Sequence, residues 1–176
     1  MKETERKYLV TDSAWKKLSA DRVVNIRQGY LGKSSTNVVR IRVTDSKAFI
    51  TIKTPKIGFT CDEFEYAIPR EDGLQLINLC TAVIEKKRTY VRDEYHQLWE
   101  VDQFKGPLAG LIVAEIELPS EDTPIMFPDW IGTDVTDDKR YSNANLVTAT
   151  LESLTCTSKC VLRRSLIVNM KSMFTW

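Results

Sequence analysis

Up to about residue 119 the chain alternates apolar with polar side chains at a period of two, and its polar positions are charged in like pairs. Tyr8 and Val10, then Val39, Ile41 and Val43, Phe64, and Ile116 and Leu118 take one parity. Glu3/Glu5, Arg40/Arg42, Glu63/Glu65, Lys86/Arg88, Glu100/Asp102 and Glu115/Glu117 take the other. A strand turns successive side chains to opposite faces, so residues i and i+2 share a face about 7 Å apart. Enrichment in β-branched and aromatic residues between turn signals predicts strands over 2–10, 22–31, 36–44, 47–54, 60–69, 83–92, 95–104 and 110–119. Asp45-Ser46, Asp93-Glu94 and Lys105-Gly106-Pro107 stand where tight antiparallel connections belong. Asp12-Ser13 caps a short predicted helix carrying Trp15 and Leu18. Pro69 opens another, with Leu74, Ile77 and Leu79 on or near one face. Beyond the Pro-rich stretch around Pro124 and Pro128, Ser142 or Asn143 caps a predicted helix running to about Leu154.

Eight mostly antiparallel strands suffice to close a barrel and remove both sheet edges. The wet face of an open sheet accommodates any one charge pair. Six such pairs, with acids and bases segregated by strand, favour a closed barrel whose charged faces point inward. The expected fold is therefore α+β: an eight-stranded antiparallel β-barrel forming a tunnel with an ionic lumen, its apolar contacts outside the wall under the helices.

Charge and cysteine usage narrow the function. Lys and Arg number 25 against 24 Asp and Glu, so no bulk basic field for nucleic acid or a membrane surface is present. The first seven residues are too charged for a signal peptide, and no apolar run is long enough to span a bilayer, so a soluble cytoplasmic protein is expected. Cys61, Cys80, Cys156 and Cys160 show neither a disulfide framework nor zinc-site spacing. His96, the single histidine, falls on an alternating segment and reads as a surface strand residue. With no nucleophile elbow and no second histidine, covalent triad chemistry is set aside. Residues 1–156 read as one domain, with 157–176 an extension of unassigned role.

Glu3-Thr4-Glu5-Arg6-Lys7 fits the ExExK signature of the CYTH superfamily, the triphosphate tunnel metalloenzymes. The chain continues to resemble that family through Gln28-Gly29-Tyr30-Leu31, Val39-Arg40-Ile41-Arg42, Thr51-Ile52-Lys53, Glu63-Phe64-Glu65, Lys86-x-Arg88, Glu100-Val101-Asp102, Glu115-x-Glu117 and Arg140-Tyr141-Ser142-Asn143. The resemblance covers roughly residues 1–150 and implies an eight-stranded tunnel acting on triphosphate groups with Mg2+ or Mn2+. It implies a phosphate cradle of Lys7, Arg40, Arg42, Lys53, Lys86 and Arg88, with Lys139 or Arg140 added from the C-terminal segment. Glu3, Glu5, Glu115 and Glu117 are the implied metal ligands, while Glu63, Glu65, Glu100 and Asp102 complete the acidic side. Gln28 and Tyr30 are expected to face the tunnel, with Tyr30 near Lys7 orienting the attacking water and its phenol tuned by that lysine.

This inventory suits a small triphosphate-containing substrate. Cations hold phosphate oxygens, and carboxylates hold hard divalent metals that prefer oxygen ligands. No base-recognition element for a class IV adenylate cyclase is visible, and nothing places Trp15, Trp99 or Trp130 for stacking on thiamine triphosphate. A non-catalytic polyphosphate or nucleotide-binding protein would not need so many carboxylates. The favoured expectation is an inorganic triphosphatase, with no nucleic-acid or membrane partner and a homodimer left open.

Overall fold

The computed structural model describes residues 1–154; the 157–176 extension lies outside the described residues. Strands β1 (Lys2–Val10), β2 (Ala20–Lys33), β3 (Val38–Thr44), β4 (Ala48–Lys53) and β5 (Thr60–Ile68) lead to helix α1 (Arg70–Ile77). Then come β6 (Val83–Arg92), β7 (Leu98–Phe104), β8 (Ile112–Glu117), β9 (Ile131–Asp134) and the short helix α2 (Asn143–Leu146), with 3-10 turns at Ala14–Lys17, Gly106–Leu108 and Lys139–Tyr141. The sheet runs β5-β4-β3-β2-β6-β7-β8-β1, and a further β5–β1 pairing closes it. The closing seam is short, Lys2 to Thr4 of β1 against Thr60 to Asp62 of β5. The edge of β1 left beyond it is taken by β9, which pairs with Tyr8 and Val10.

Cross-strand partners share a face, so the register reads out the lumen layer by layer. Across β1 and β8, Glu5 faces Glu117, Lys7 faces Glu115, and Leu9 faces Val113. Across β6 and β7, Tyr90 faces Glu100, Arg88 faces Asp102, and Lys86 faces Phe104. The lumen is thus charged over most of its length and apolar at one end. There Ile84, Phe104 and Val113 pack with Leu108, Leu111, Leu146 and Leu154. An ionic lumen throughout was the expectation; the alternation keeps its period here but changes chemistry, because the C-terminal segment covers this end.

Outside the wall lies the core. Tyr8, Trp15, Val91, Trp99, Val101, Ala114, Ile116 and Trp130 form one buried cluster, each large side chain contributing roughly 1.5–3 kcal/mol on burial. Helix α1 covers another, Ile41, Val43, Ala48 and Ile77. Its docking needs Gly73, where a β-carbon would stand 2.3 Å from Ala48 Cβ. Gly29 points outward between Gln28 and Tyr30, and a β-carbon there would come within 2.7 Å of Cys80 Cβ. The bare backbone lets β2 lie close against the connection leading into β6.

Several local expectations are corrected. β7 begins at Leu98 rather than 95, because the buried Asp93 carboxylate accepts from the Tyr95 and Gln97 amides, Gln97 Nε2 and Trp99 Nε1 and folds the segment into a turn. His96 sits in that turn at φ 63° and is not a strand residue. β9 was not predicted: its four residues, with Gly132 among them, carry no alternation, and only the free edge of β1 makes them a strand. The C-terminal helix is broken after Leu146 and resumes over 151–154. Thr150 and Ser153 cap that second turn reciprocally, each side-chain oxygen accepting from the other's amide. Leu79 falls past the end of α1 and is exposed, as is Phe64 on the outer face of β5.

Candidate active site

The lumen holds a cavity of about 750 Å³. Glu3, Glu5, Lys7, Tyr30, Arg40, Arg42, Lys53, Glu63, Glu65, Lys86, Arg88, Glu100, Glu115, Glu117 and Lys139 all line it, together with Gln28. Seven strands and the Lys139–Tyr141 turn supply these cations and acids before any ligand is considered. Two expected residues stand apart. Asp102 is on the lumen face but fully buried beneath Lys86 and Arg88, which bind its carboxylate and keep it from the cavity surface. Arg140 lies at the surface, turned onto Asp138 at 2.6 Å, while its neighbour Lys139 reaches the cavity.

The acids divide into two groups. Glu115 is tied to Lys7 and to Arg88, Glu65 to Arg42 at 2.5 Å and Arg40 at 3.3 Å, and Glu100 to Arg88. These carboxylates orient the cations. Glu3, Glu5, Glu63 and Glu117 gather along β1 and its neighbours β5 and β8, with Lys53 bridging Glu3 and Glu63 at 2.5 and 3.0 Å; two of them also touch the cradle, Glu5 at Lys7 (2.7 Å) and Glu63 at Arg40 (3.2 Å). Glu5 and Glu117 are directly opposed like charges, an arrangement that costs stability without a cation between them.

Residues that alternation did not single out also touch the site. Lys56 approaches Glu5 at 3.6 Å from the β4–β5 connection, where no period marks it. Thr51, fully buried on β4, accepts from Arg40 and donates to Glu65 at 2.9 Å. The buried Cys61 donates to Glu3 Oε2 at 3.3 Å.

The CYTH domain model matches residues 1–151. The chain belongs to the CYTH domain family. Among curated relatives, an inorganic triphosphatase of Acetivibrio thermocellus is 40% identical over 147 residues, covering 83% of this chain and 93% of its own length. An inorganic triphosphatase of Nitrosomonas europaea is 37% identical over 153 residues, covering 83% and 97%. The crystal structure of an inorganic triphosphatase superposes with a TM-score of 0.62 at 32% identity, covering 84% of this chain and 95% of that one.

Electrostatics in this CYTH domain follow from its packing. Burial opposes the charge of Lys7, but Glu115 and Glu5 outweigh it and raise the ammonium above its ordinary value. Burial likewise disfavours ionised Glu115, and Lys7, Arg88 and Lys86 overcome it, holding that carboxyl well below the usual range. For Lys86 burial wins despite Asp102, and Arg88 adds repulsion, leaving it at about 8. Tyr30 differs from expectation: burial raises its phenol although Arg40, Lys53 and Lys7 pull the other way, so it stays a neutral hydrogen-bond donor.

The acid cluster suits a hard divalent cation. Burial raises Glu3, but Lys53 and hydrogen bonds from Glu63 and Cys61 bring it to about 2. Burial raises Glu63, and its hydrogen bond with Glu3 raises it further. Burial also raises Glu117, reinforced by Glu3 and Glu5. Crowded carboxyls that share protons are oxygen donors whose repulsion a cation would relieve. Among the described residues no three acids or thiols converge in a ready-made ligand geometry, because Lys53 and Lys56 lie among them.

Proposed function

We propose that this protein hydrolyses the terminal phosphoanhydride bond of inorganic tripolyphosphate with Mg2+ or Mn2+, giving diphosphate and orthophosphate in the cytoplasm. The observation that carries this reading is the interleaving of six buried or half-buried cations with carboxylates around a 750 Å³ lumen. A compact polyanion matches that lining, and an apolar ligand does not. The naming of two curated relatives as inorganic triphosphatases supports the same choice.

Lys7, Arg40, Arg42, Lys53, Lys86 and Arg88 donate to phosphate oxygens, and Lys139 adds a cation from the C-terminal segment. Glu65, Glu100, Asp102 and Glu115 hold those donors in place before substrate arrives, so little reorganisation is needed at the moment of reaction. Glu3, Glu5, Glu63 and Glu117 would hold a divalent metal, which would supply charge neutralisation for the polyphosphate. Lys7, kept charged by Glu115 and Glu5, stabilises the charge that develops on the transferred phosphoryl and the leaving diphosphate. The protonated Tyr30 donates a hydrogen bond across the same space and orients the water.

The deciding experiment is a phosphate-release panel of tripolyphosphate, ATP, thiamine triphosphate and long-chain polyphosphate with Mg2+ and Mn2+. Tripolyphosphate should be the best substrate and chelation should abolish turnover. Cyclic AMP as the main product from ATP would overturn the reading.

A further inference from the structure

Gln28 is fully buried, yet among the described residues neither its Oε1 nor its Nε2 has a hydrogen-bond partner. An unpaired buried amide costs roughly 1–3 kcal/mol for each group left unsatisfied, and a leucine would fill the same space without that cost. The position is not a packing accident. Gln28 lines the lumen cavity, with Arg42 opposite on β3 and Ile84 opposite on β6. Tyr30 lies two residues along the same face, opposite Arg40. The close approach at Gly29 pins the intervening backbone.

The chemistry of the surrounding wall identifies what such a group adds. Lysine and arginine can only donate, and phosphate oxygens only accept, so cradle and substrate satisfy one another. Water is different: in attack it must give its hydrogen bonds away to acceptors while its oxygen faces phosphorus. The carboxylates nearest the cradle are taken up by cations: Glu65 by Arg40 and Arg42, Glu115 by Lys7 and Arg88, and Asp102 by Lys86 and Arg88. The carbonyl of Gln28 is a neutral acceptor without such a tie, and its NH2 offers donors on the same group.

We propose that Gln28 positions the attacking water, its Oε1 accepting from the water and its Nε2 donating to an oxygen of the terminal phosphoryl group. The proposal rests on the triphosphatase reading above. In the step it serves, the water oxygen bonds to the terminal phosphorus and the bridging P–O bond breaks, its electron pair leaving with diphosphate. One water proton remains on the orthophosphate and the other passes to solvent. The amide takes no proton, as in enzymes where a glutamine orients water for phosphoryl transfer.

The test is steady-state kinetics on tripolyphosphate with Mg2+, together with thermal melting, for wild type, Gln28→Leu and Gln28→Asn. Gln28→Leu should lower kcat at least about tenfold, the scale of losing one oriented polar group, with KM within about threefold. Its melting temperature without ligand should be no lower than that of wild type, since removal of an unpaired buried amide is neutral or stabilising. Gln28→Asn, which withdraws the amide by one methylene, should also lower kcat, and it carries the test if the leucine variant does not fold. A Gln28→Leu kcat within twofold of wild type overturns the proposal at any melting temperature. So does a large rise in KM at unchanged kcat, which would assign Gln28 to substrate binding alone. In both cases wild-type release of phosphate from tripolyphosphate leaves the triphosphatase reading standing; an inert wild type overturns both.

Discussion

Lys86 on β6 and Asp102 on β7 form an ion pair with 1% and 0% of their side chains exposed, yet burial leaves Lys86 at about 8. In an unfolded chain the lysine sits at 10.5. Between those values the folded state binds fewer protons, so the Lys86 contribution to stability rises with pH over that window. The cradle meanwhile loses a positive charge as pH climbs through about 8.

Binding of tripolyphosphate should therefore weaken between pH 7 and pH 9. One unit above its pKa about nine tenths of Lys86 is neutral, so the loss attributable to it is up to about tenfold in Kd. Calorimetric titration of wild type against Lys86→Met isolates this contribution from the ionisation of the ligand. An identical pH dependence in the two proteins would show that Lys86 keeps its charge.

Odd and even positions of β1 should respond oppositely to substitution. Glu5, buried and paired across from Glu117 on the neighbouring strand β8, belongs to the proposed metal ligands, and Glu5→Gln should cut turnover by at least about a hundredfold. Thr4 and Arg6 lie on the outer face, where Thr4 hydrogen-bonds Thr60 and Arg6 pairs with Asp134. Thr4→Ala and Arg6→Ala should keep turnover within a few-fold of wild type, measured as phosphate release. Equal losses on both parities would mean β1 does not line the lumen.

Arg42→Ala should raise KM or lower kcat for tripolyphosphate while leaving the metal dependence nearly unchanged. The residue donates to Glu65 at 2.5 Å and contacts no member of the Glu3, Glu5, Glu63 and Glu117 group. Activity titrated against Mg2+ concentration checks it, and a shifted metal requirement would count against the division of the acids into two groups.

Metal plus tripolyphosphate should raise the melting temperature, because both bind the folded lumen and relieve its crowded charges. Diphosphate, with fewer oxygens to satisfy the cradle, should raise it less. Differential scanning fluorimetry with and without chelator reads the effect; equal melting in all conditions would mean that the charged faces do not form one site.

Gly73→Ala should destabilise the fold by about 1–3 kcal/mol, the scale of overpacking a tight contact. Its added carbon would meet Ala48 Cβ at 2.3 Å and Val43 Cγ2 at 3.3 Å, lifting α1 from the β3–β4 pair. Chemical denaturation measures the loss, and wild-type stability would show that the helix shifts without cost.

Much of this protein is legible in one dimension because a strand is a strict period of two. Glu3, Glu5 and Lys7 share a face whatever they pair with, so the run of charged parities announces a polar lumen and an apolar exterior. Barrel closure follows from the number of such strands. What repeats locally was readable: the eight barrel strands, the sites of the connections and most of the charges that line the lumen, though not Lys56.

Pairing between strands is a different kind of information, since it depends on register and shear between segments far apart in the chain. Only the assembled barrel sets Glu5 against Glu117 and Lys7 against Glu115, and only it buries Asp102 beneath Lys86 and Arg88 while leaving Glu117 at the cavity. The same holds for β9, a strand made by the edge that the β1–β5 seam leaves open, and for the turn that the Asp93 carboxylate imposes on His96. Composition and period determined which charges face inward. Burial and cross-strand distance, properties of the closed sheet, decided which of them neutralise one another, which carboxylates crowd together, and that Gln28 stands among them without a partner among the described residues.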